Sequence, residues 1–203
     1  MSDGSAIIEK QFALAEKVIG GRTHRDFAEN HTCLTGLFDS FTEFKDQELV
    51  IYEDDRLTYG EVADQAAQFA HILANEHSII AGDRIGIVLP NKPEWIISFV
   101  AIASLGAVPV LINARAAEDE LDYCLSSVNC RACITERTTA LDIRKIHPDE
   151  CRSNTAGNNA LALAERDPAD EAMLMFTSGT TGKPKAAVLS HQGLMSAMKT
   201  IHY

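Results

Sequence analysis

The spacing of apolar and polar positions changes several times along this chain, and each change predicts an element. Ile7, Ile8, Phe12, Ala15, Val18 and Ile19 recur at helical intervals and stop at Gly20-Gly21, which predicts an opening helix. Leu49-Val50-Ile51-Tyr52 and Leu57-Thr58-Tyr59 are short β-forming runs bridged by Glu53-Asp54-Asp55-Arg56, the pattern of a hairpin. Thr58-Tyr59-Gly60-Glu61 has the Thr-x-x-Glu spacing of a capping box. Val62, Ala66, Phe69, Ala70 and Leu73 then supply one apolar helix face.

Further on, strands and helices alternate. Arg84 to Leu89 reads as a strand ended by Pro90, and Pro93 opens a helix carrying Trp95, Phe99 and Ile102. Val108 to Ile112 is the next strand, Glu118 to Leu125 a more polar helix, and Ala132 to Thr135 a third strand. This alternation predicts an α/β fold with a doubly wound parallel sheet. Residues 136 to 171 hold no β-branched run and read as loop plus a short helix around Ala160 to Glu165.

The stretch Trp95 to Ile112 carries no charged residue and has to be weighed as a membrane span. Gly106 and Pro109 divide it, and its halves fit a buried helix and a buried strand, so no transmembrane segment is expected.

Composition narrows the function. Apolar residues are 46% and charged residues 23%, ordinary for a globular chain, and the formal net charge is −11. An acidic balance of that size argues against nucleic acid as the partner, because phosphate backbones select clustered Lys and Arg. It does not exclude a nucleotide, which needs only local positive charge and aimed N–H groups. The start lacks a basic n-region, and the five cysteines are odd in number, so reduced thiols and a cytoplasmic location are expected. Cys130-x-x-Cys133 followed by His147-x-x-x-Cys151 has spacing compatible with a structural zinc site. Thiols are also common as plain buried apolar groups, and Cys133 falls in an expected strand.

The chemistry concentrates in Thr177-Ser178-Gly179-Thr180-Thr181-Gly182-Lys183-Pro184-Lys185. Met173 to Phe176 reads as the buried strand that delivers this loop, and Ala186 to Leu189 as the strand that leaves it. Ser190 is placed to cap a closing helix. Gly179 and Gly182 permit positive φ and close backbone approach to a ligand. Hydroxyls and two lysines complete a cradle suited to a polyphosphate. A P-loop of the NTPase kind does not fit: only two residues separate the glycines, and Pro184 takes the place of the Mg²⁺-binding hydroxyl. The competing reading is a Ser/Thr/Gly-rich surface loop between strands.

Phe176 to Lys185, continued by Val188-Leu189-Ser190-His191, resembles the phosphate-loop signature of AMP-dependent synthetases, the adenylate-forming superfamily. Upstream, Leu57-Thr58-Tyr59-Gly60-Glu61-Val62, Gly82-Asp83-Arg84-Ile85, Leu89-Pro90-Asn91 and Leu105-Gly106-Ala107-Val108-Pro109-Val110 follow in that family's order and spacing. Ile112-Asn113-Ala114-Arg115 is more similar to the CoA-ligase branch than to the peptide-synthetase branch. The resemblance implies the N-terminal part of an acetyl-CoA synthetase-like fold, with residues 48–203 in the synthetase domain and residues 1–47 as a helical or extended lead-in.

It also implies a reaction. ATP and a carboxylic acid give an acyl-adenylate and pyrophosphate, and CoA then displaces AMP to form a thioester. By resemblance, Thr177, Ser178, Gly179, Thr180, Thr181 and Gly182 hold the β- and γ-phosphates, Lys185 adds charge, and Thr177 helps to order Mg²⁺. Ala186 stands where the family usually has Gly. Residues 136 to 171 lack the apolar strand that members place before the loop. Members run on well past this point, and their adenine and ribose contacts, acidic Mg²⁺ ligand, acyl pocket and catalytic lysine come later. The isolated chain is therefore expected to complete neither step. A non-catalytic nucleotide-binding or interaction module is the alternative, and Leu194, Met195 and Met198 are expected to be exposed. His191 and Trp95 are read as structural, one at the first turn of the closing helix and the other in the core.

Overall fold

The computed structural model describes residues 12–152, 161–177 and 182–201. Its centre is a six-stranded sheet built from β5 (Arg84–Ile87), β6 (Val108–Leu111), β7 (Ala132–Ile134), β8 (Arg144–Ile146), β9 (Glu171–Thr177) and β10 (Lys185–Ser190). The strand order is β10-β9-β6-β5-β7-β8. Every neighbouring pair is parallel except β9 and β10. β5 lies centrally because it is entered first and the chain then winds outward to either side. That is the doubly wound arrangement.

Alternation within the short strands explains the two packed faces. Ile85, Ile87, Ala132 and Ile134 join one core with residues of α2 (Tyr59–Asn75) and α3 (Pro93–Ser104). Val108, Val110, Cys133 and Leu174 join the other, under Leu121 and Leu125 of α4 (Glu118–Ser127). Gly86 faces that second core. A Cβ there would come within 2.7 Å of Leu125 Cδ2 and 3.2 Å of Cys133 Cβ, so α4 can press against β5 only because the side chain is missing.

Helix starts follow local chemistry. Thr58 Oγ1 accepts from the Glu61 amide at 3.1 Å, and the Glu61 carboxylate accepts from the Thr58 amide at 2.8 Å, closing the expected capping box on α2. Pro93 occupies the first turn of α3, where its missing N–H costs nothing. The hairpin of β3 (Glu48–Tyr52) and β4 (Asp55–Thr58) forms as expected, with Glu53 at φ 53° in its turn.

The opening helix does not form over the described residues. Leu14–Ile19 and Arg22–Phe27 are antiparallel strands, β1 and β2, joined at Gly20-Gly21. These glycines have φ of 56° and 74°, the pair of positive values that a tight hairpin turn demands. They turn the chain rather than end a helix. Ile7 and Ile8 lie outside the described residues. The hairpin is docked by Asp26, buried among Lys17 Nζ at 3.4 Å, Ser196 Oγ at 2.6 Å and the Gln192 amide.

Residues 136–171 also depart from expectation. Arg144–Ile146 is a strand although two of its three residues are charged, a composition suited to a sheet edge. Pro148–Arg152 is a short 3₁₀ helix. No helix forms over residues 161–165: Leu161 and Leu163 lie against the first core, and the Ala164 amide donates to Ser104 O at 2.8 Å. Ala160 lies outside the described residues.

The closing helix α5 (His191–Ile201) buries more than expected. Met195 is 3% exposed and Leu194 packs on the first core, while Met198 is exposed. The helix rests on β9, β10 and α1 (Leu34–Asp39), and that contact covers the first half of its apolar stripe, at Leu194 and Met195. Among the described residues, no helix is long and apolar enough to cross a membrane.

Candidate functional site

The C-terminal ends of the parallel strands share one edge of the sheet, and the site is assembled there. In doubly wound sheets the crevice outside those ends, where the winding direction reverses, is where ligands bind. Here the chain leaves β5 for β6 on one side and later returns to β7 on the other. A cleft of about 760 Å³ opens beyond these ends, lined by Asn91, Trp95, Asn113, Arg115, Glu136 and Arg137 among others.

Most of these lining groups are placed by the turns that follow strands, and Trp95 by the first turn of α3. The Asn113 carboxamide oxygen accepts from the Arg115 amide at 2.9 Å, folding the turn after β6. Thr135, buried at the end of β7, accepts from the Arg137 amide through Oγ1 at 3.0 Å. Arg137 Nη1 reaches across to the Ala114 carbonyl at 3.1 Å and so joins the two turns. Trp95 is half-buried and stacks on Phe99, centroids 5.6 Å apart and planes 5° apart. It is thus partly a core residue, as expected, and partly a wall of the cleft.

The segment from Thr177 to Lys185 leaves from the same edge. The register of β9 on β6 sets Val110 opposite Leu174 and Leu111 opposite Met175, so β9 ends beside β6. Thr177 and Lys185 form the last pair of the β9–β10 ladder, and Thr177 Oγ1 donates to Lys185 O at 3.3 Å. The loop is therefore closed at its base. Ser178, Gly179, Thr180 and Thr181 lie outside the described residues. Gly182 has φ 93°, as expected of a loop glycine, and among the described residues beyond its chain neighbours no atom lies within 4 Å of where its Cβ would be. Backbone conformation rather than crowding requires glycine there. Lys185 is exposed, and the Lys183 ammonium lies 4.9 Å over the Tyr123 ring.

Behind the loop, His191 is buried, and its Nδ1 accepts the Leu34 amide at 3.2 Å. Burial lowers its pKa below the ordinary value, and the Arg166 charge adds to the effect. The ring acts as a neutral structural acceptor.

The cysteine and histidine spacing does not close a metal site. Cys130 and Cys133 belong to the second core and Cys151 to the first, while His147 is exposed. The sheet separates the thiols that the sequence spacing groups together. Burial pushes Cys130 and Cys151 up to about 12 and Cys124 and Cys133 up to about 11, the behaviour of inert apolar thiols. Among the described residues no group of three or more His, Cys, Asp or Glu converges as a ligand set.

Sequence reasoning missed Glu136 and Arg137 as lining residues. No local motif marks them, but both directly follow β7, and the strand-end rule would have found them.

A family model described as AMP-binding enzyme matches residues 37–203. Over 71% of its length the chain is 34% identical to the long-chain-fatty-acid–CoA ligase FadD13 of Mycobacterium tuberculosis, spanning 31% of that protein. It is 29% identical over 86% of its length to an N-(5-amino-5-carboxypentanoyl)-L-cysteinyl-D-valine synthase of Amycolatopsis lactamdurans, of which it spans 5%. Among solved structures, the N-terminal subdomain of Klebsiella oxytoca NpsA in complex with 3-hydroxybenzoyl-AMSN superposes with a TM-score of 0.68 at 27% identity. That match covers 78% of this chain and 41% of that subdomain. The chain thus spans less than a third of the length of these curated relatives.

Proposed function

From the premise that the chain belongs to the AMP-binding enzyme family, we propose that it forms part of an ATP-dependent acyl- or aryl-CoA ligase and carries the grip on the ATP phosphates. The observation that carries this reading is the pairing of Thr177 with Lys185, which closes the base of the segment at the edge of the sheet where the parallel strands end. In the reaction, a carboxylate attacks the α-phosphorus of ATP, pyrophosphate leaves, and a thiol then displaces AMP from the acyl-adenylate. Charge builds on the departing pyrophosphate. Backbone N–H groups and hydroxyls of the segment and the Lys185 ammonium are the groups suited to stabilise it.

Magnesium fits one position in this segment. The Thr177 hydroxyl donates to Lys185 O, which leaves its oxygen lone pairs for a cation. When bound, the ion would neutralise phosphate oxygens, with most of its ligands supplied by phosphates and water.

Two observations favour CoA as the acyl acceptor. The turn Ile112-Asn113-Ala114-Arg115 resembles the CoA-ligase branch, and the adjoining cleft offers Arg115, Arg137 and the indole of Trp95. Guanidinium groups beside an aromatic face suit a ligand bearing both phosphate and adenine. The relative at 34% identity is named a CoA ligase and the one at 29% a peptide synthase, so the preference for CoA rests on the cleft as well as on likeness.

Binding is the direct test, because the chain spans 31% of that CoA ligase. Calorimetric titration with MgATP is expected to show saturable binding by the wild-type chain. Lys185→Ala should weaken it about 10- to 100-fold, the worth of one charge-assisted contact. Arg137→Ala should spare ATP and weaken CoA. Wild-type protein that binds neither ligand would overturn the proposal. No carboxylate-dependent pyrophosphate exchange is expected from this chain alone.

A further inference from the structure

The two lysines of the phosphate loop do not share one environment. Lys185 lies in the base pair of the β9–β10 ladder and is exposed, beside Thr177. Lys183 is turned away onto α4, with its ammonium 4.9 Å above the Tyr123 ring. An ammonium over a phenol face is attracted by the ring's quadrupole. The contact is part of a small joint. Gly182, Lys183 and Pro184 on the loop side face Asp119, Glu120 and Tyr123 on the helix side across one cavity.

Chain geometry makes this joint consequential. The segment is tied at its base by Thr177 and Lys185, and Lys183 provides a second attachment on its C-terminal flank. Gly182 sits at φ 93°, and among the described residues beyond its chain neighbours nothing lies within 4 Å of its missing Cβ. Pro184 fixes its own φ and stiffens the step from Lys183 to Lys185. The Lys183–Tyr123 contact therefore sets where the C-terminal flank of the loop lies. Tyr123 is itself anchored: it is half-buried against the second core, on the helix that covers β5 and β6.

We propose that Tyr123 is a positioning residue for the phosphate loop: its ring holds Lys183 and pins the loop's flank to α4, leaving Lys185 as the lysine that meets the phosphates. The inference rests on the reading of Thr177 to Lys185 as the ATP-phosphate segment. It divides the labour of the two lysines, one to shape the loop and one to neutralise ligand charge. Asp119 and Glu120, in the acidic first turn of α4, line the same cavity as Lys183.

Two readouts on the full chain test this. The first, without ligand, is amide hydrogen exchange over residues 182–185. Tyr123→Ala and Lys183→Ala should each speed exchange about two- to fivefold, the range of an exposed cation–π contact, and Tyr123→Phe should exchange like wild type because the ring is kept. The second is MgATP titration, where the same two alanine variants should weaken binding by a similar factor and Tyr123→Phe should not. Lys183→Ala is a surface change, which guards against a folding defect in Tyr123→Ala. Exchange in both alanine variants equal to wild type would overturn the proposal. So would a Tyr123→Phe variant as loose as Tyr123→Ala, since the ring would then not be what holds the lysine. If wild-type protein fails to bind MgATP, the nucleotide reading falls, and the exchange comparison still decides whether Tyr123 holds the segment.

Discussion

Arg84 grips Glu171 through two nitrogens, Nη2 to Oε1 at 2.6 Å and Oε2 at 2.8 Å and Nε to Oε2 at 3.0 Å, joining the start of β5 to the start of β9. β6 runs between those strands, so the ion pair clamps three strands at the edge opposite the site. The same arginine donates to Val128 O at 3.0 Å, which ties in the end of α4. The clamp fixes how far β9 advances along β6, and so where the loop after Thr177 emerges.

Both partners are about a third exposed, which places the pair between a surface bridge and a buried one. Glu171→Gln is expected to lower unfolding stability by about 1–2 kcal/mol in urea titration. Arg84→Lys should cost nearly as much, because an ammonium cannot make the planar two-nitrogen contact. A lysine variant as stable as wild type would show that the fork geometry carries no energy.

His191 gives a pH dependence with a definite sign. Its folded pKa lies below the ordinary 6.5, first through burial and then through Arg166, with Asp170 opposing. The unfolded state therefore binds the proton more readily. The contribution to stability is fully present above about pH 6.5 and is lost as pH falls from there through the lowered folded value. Protonating Nδ1 would also set two donors against each other at the Leu34 amide. Thermal melts from pH 8 to pH 5 should show wild type losing stability faster than His191→Gln. Parallel curves would refute the assignment.

Gly86→Ala tests how closely α4 sits on β5. The added methyl meets Leu125 and Cys133 within a fully buried layer. Overpacking of this kind costs about 1–3 kcal/mol. Chemical denaturation should report that loss, and a neutral variant would mean that α4 stands off more freely than the distances indicate.

Much of this was legible in the chain because its causes are local. The capping box joins residues three apart, Pro93 acts on its own turn, and the positive φ of Gly182 follows from its own residue type. Gly20-Gly21 shows the limit of such reading. A glycine pair ends a helix or turns a hairpin equally well, and the apolar spacing before it fits both. Pairing of β1 with β2, and burial of Asp26 against Gln192 and Ser196 on the closing helix, settled the matter from far along the chain.

By itself, then, the sequence determined the alternating α/β pattern, the apolar faces of α2 and α3, and the run of glycines, hydroxyls and lysines from Thr177 to Lys185 on which the phosphate reading is proposed. Tertiary structure alone decided which strand ends share an edge, that Glu136 and Arg137 face the same cleft as Asn113, that the sheet parts Cys133 from Cys151, and that Lys183 rests on Tyr123. The reason is physical. Propensity, capping and turn chemistry act within a few residues, whereas strand order and facing side chains depend on burial between segments far apart in the chain.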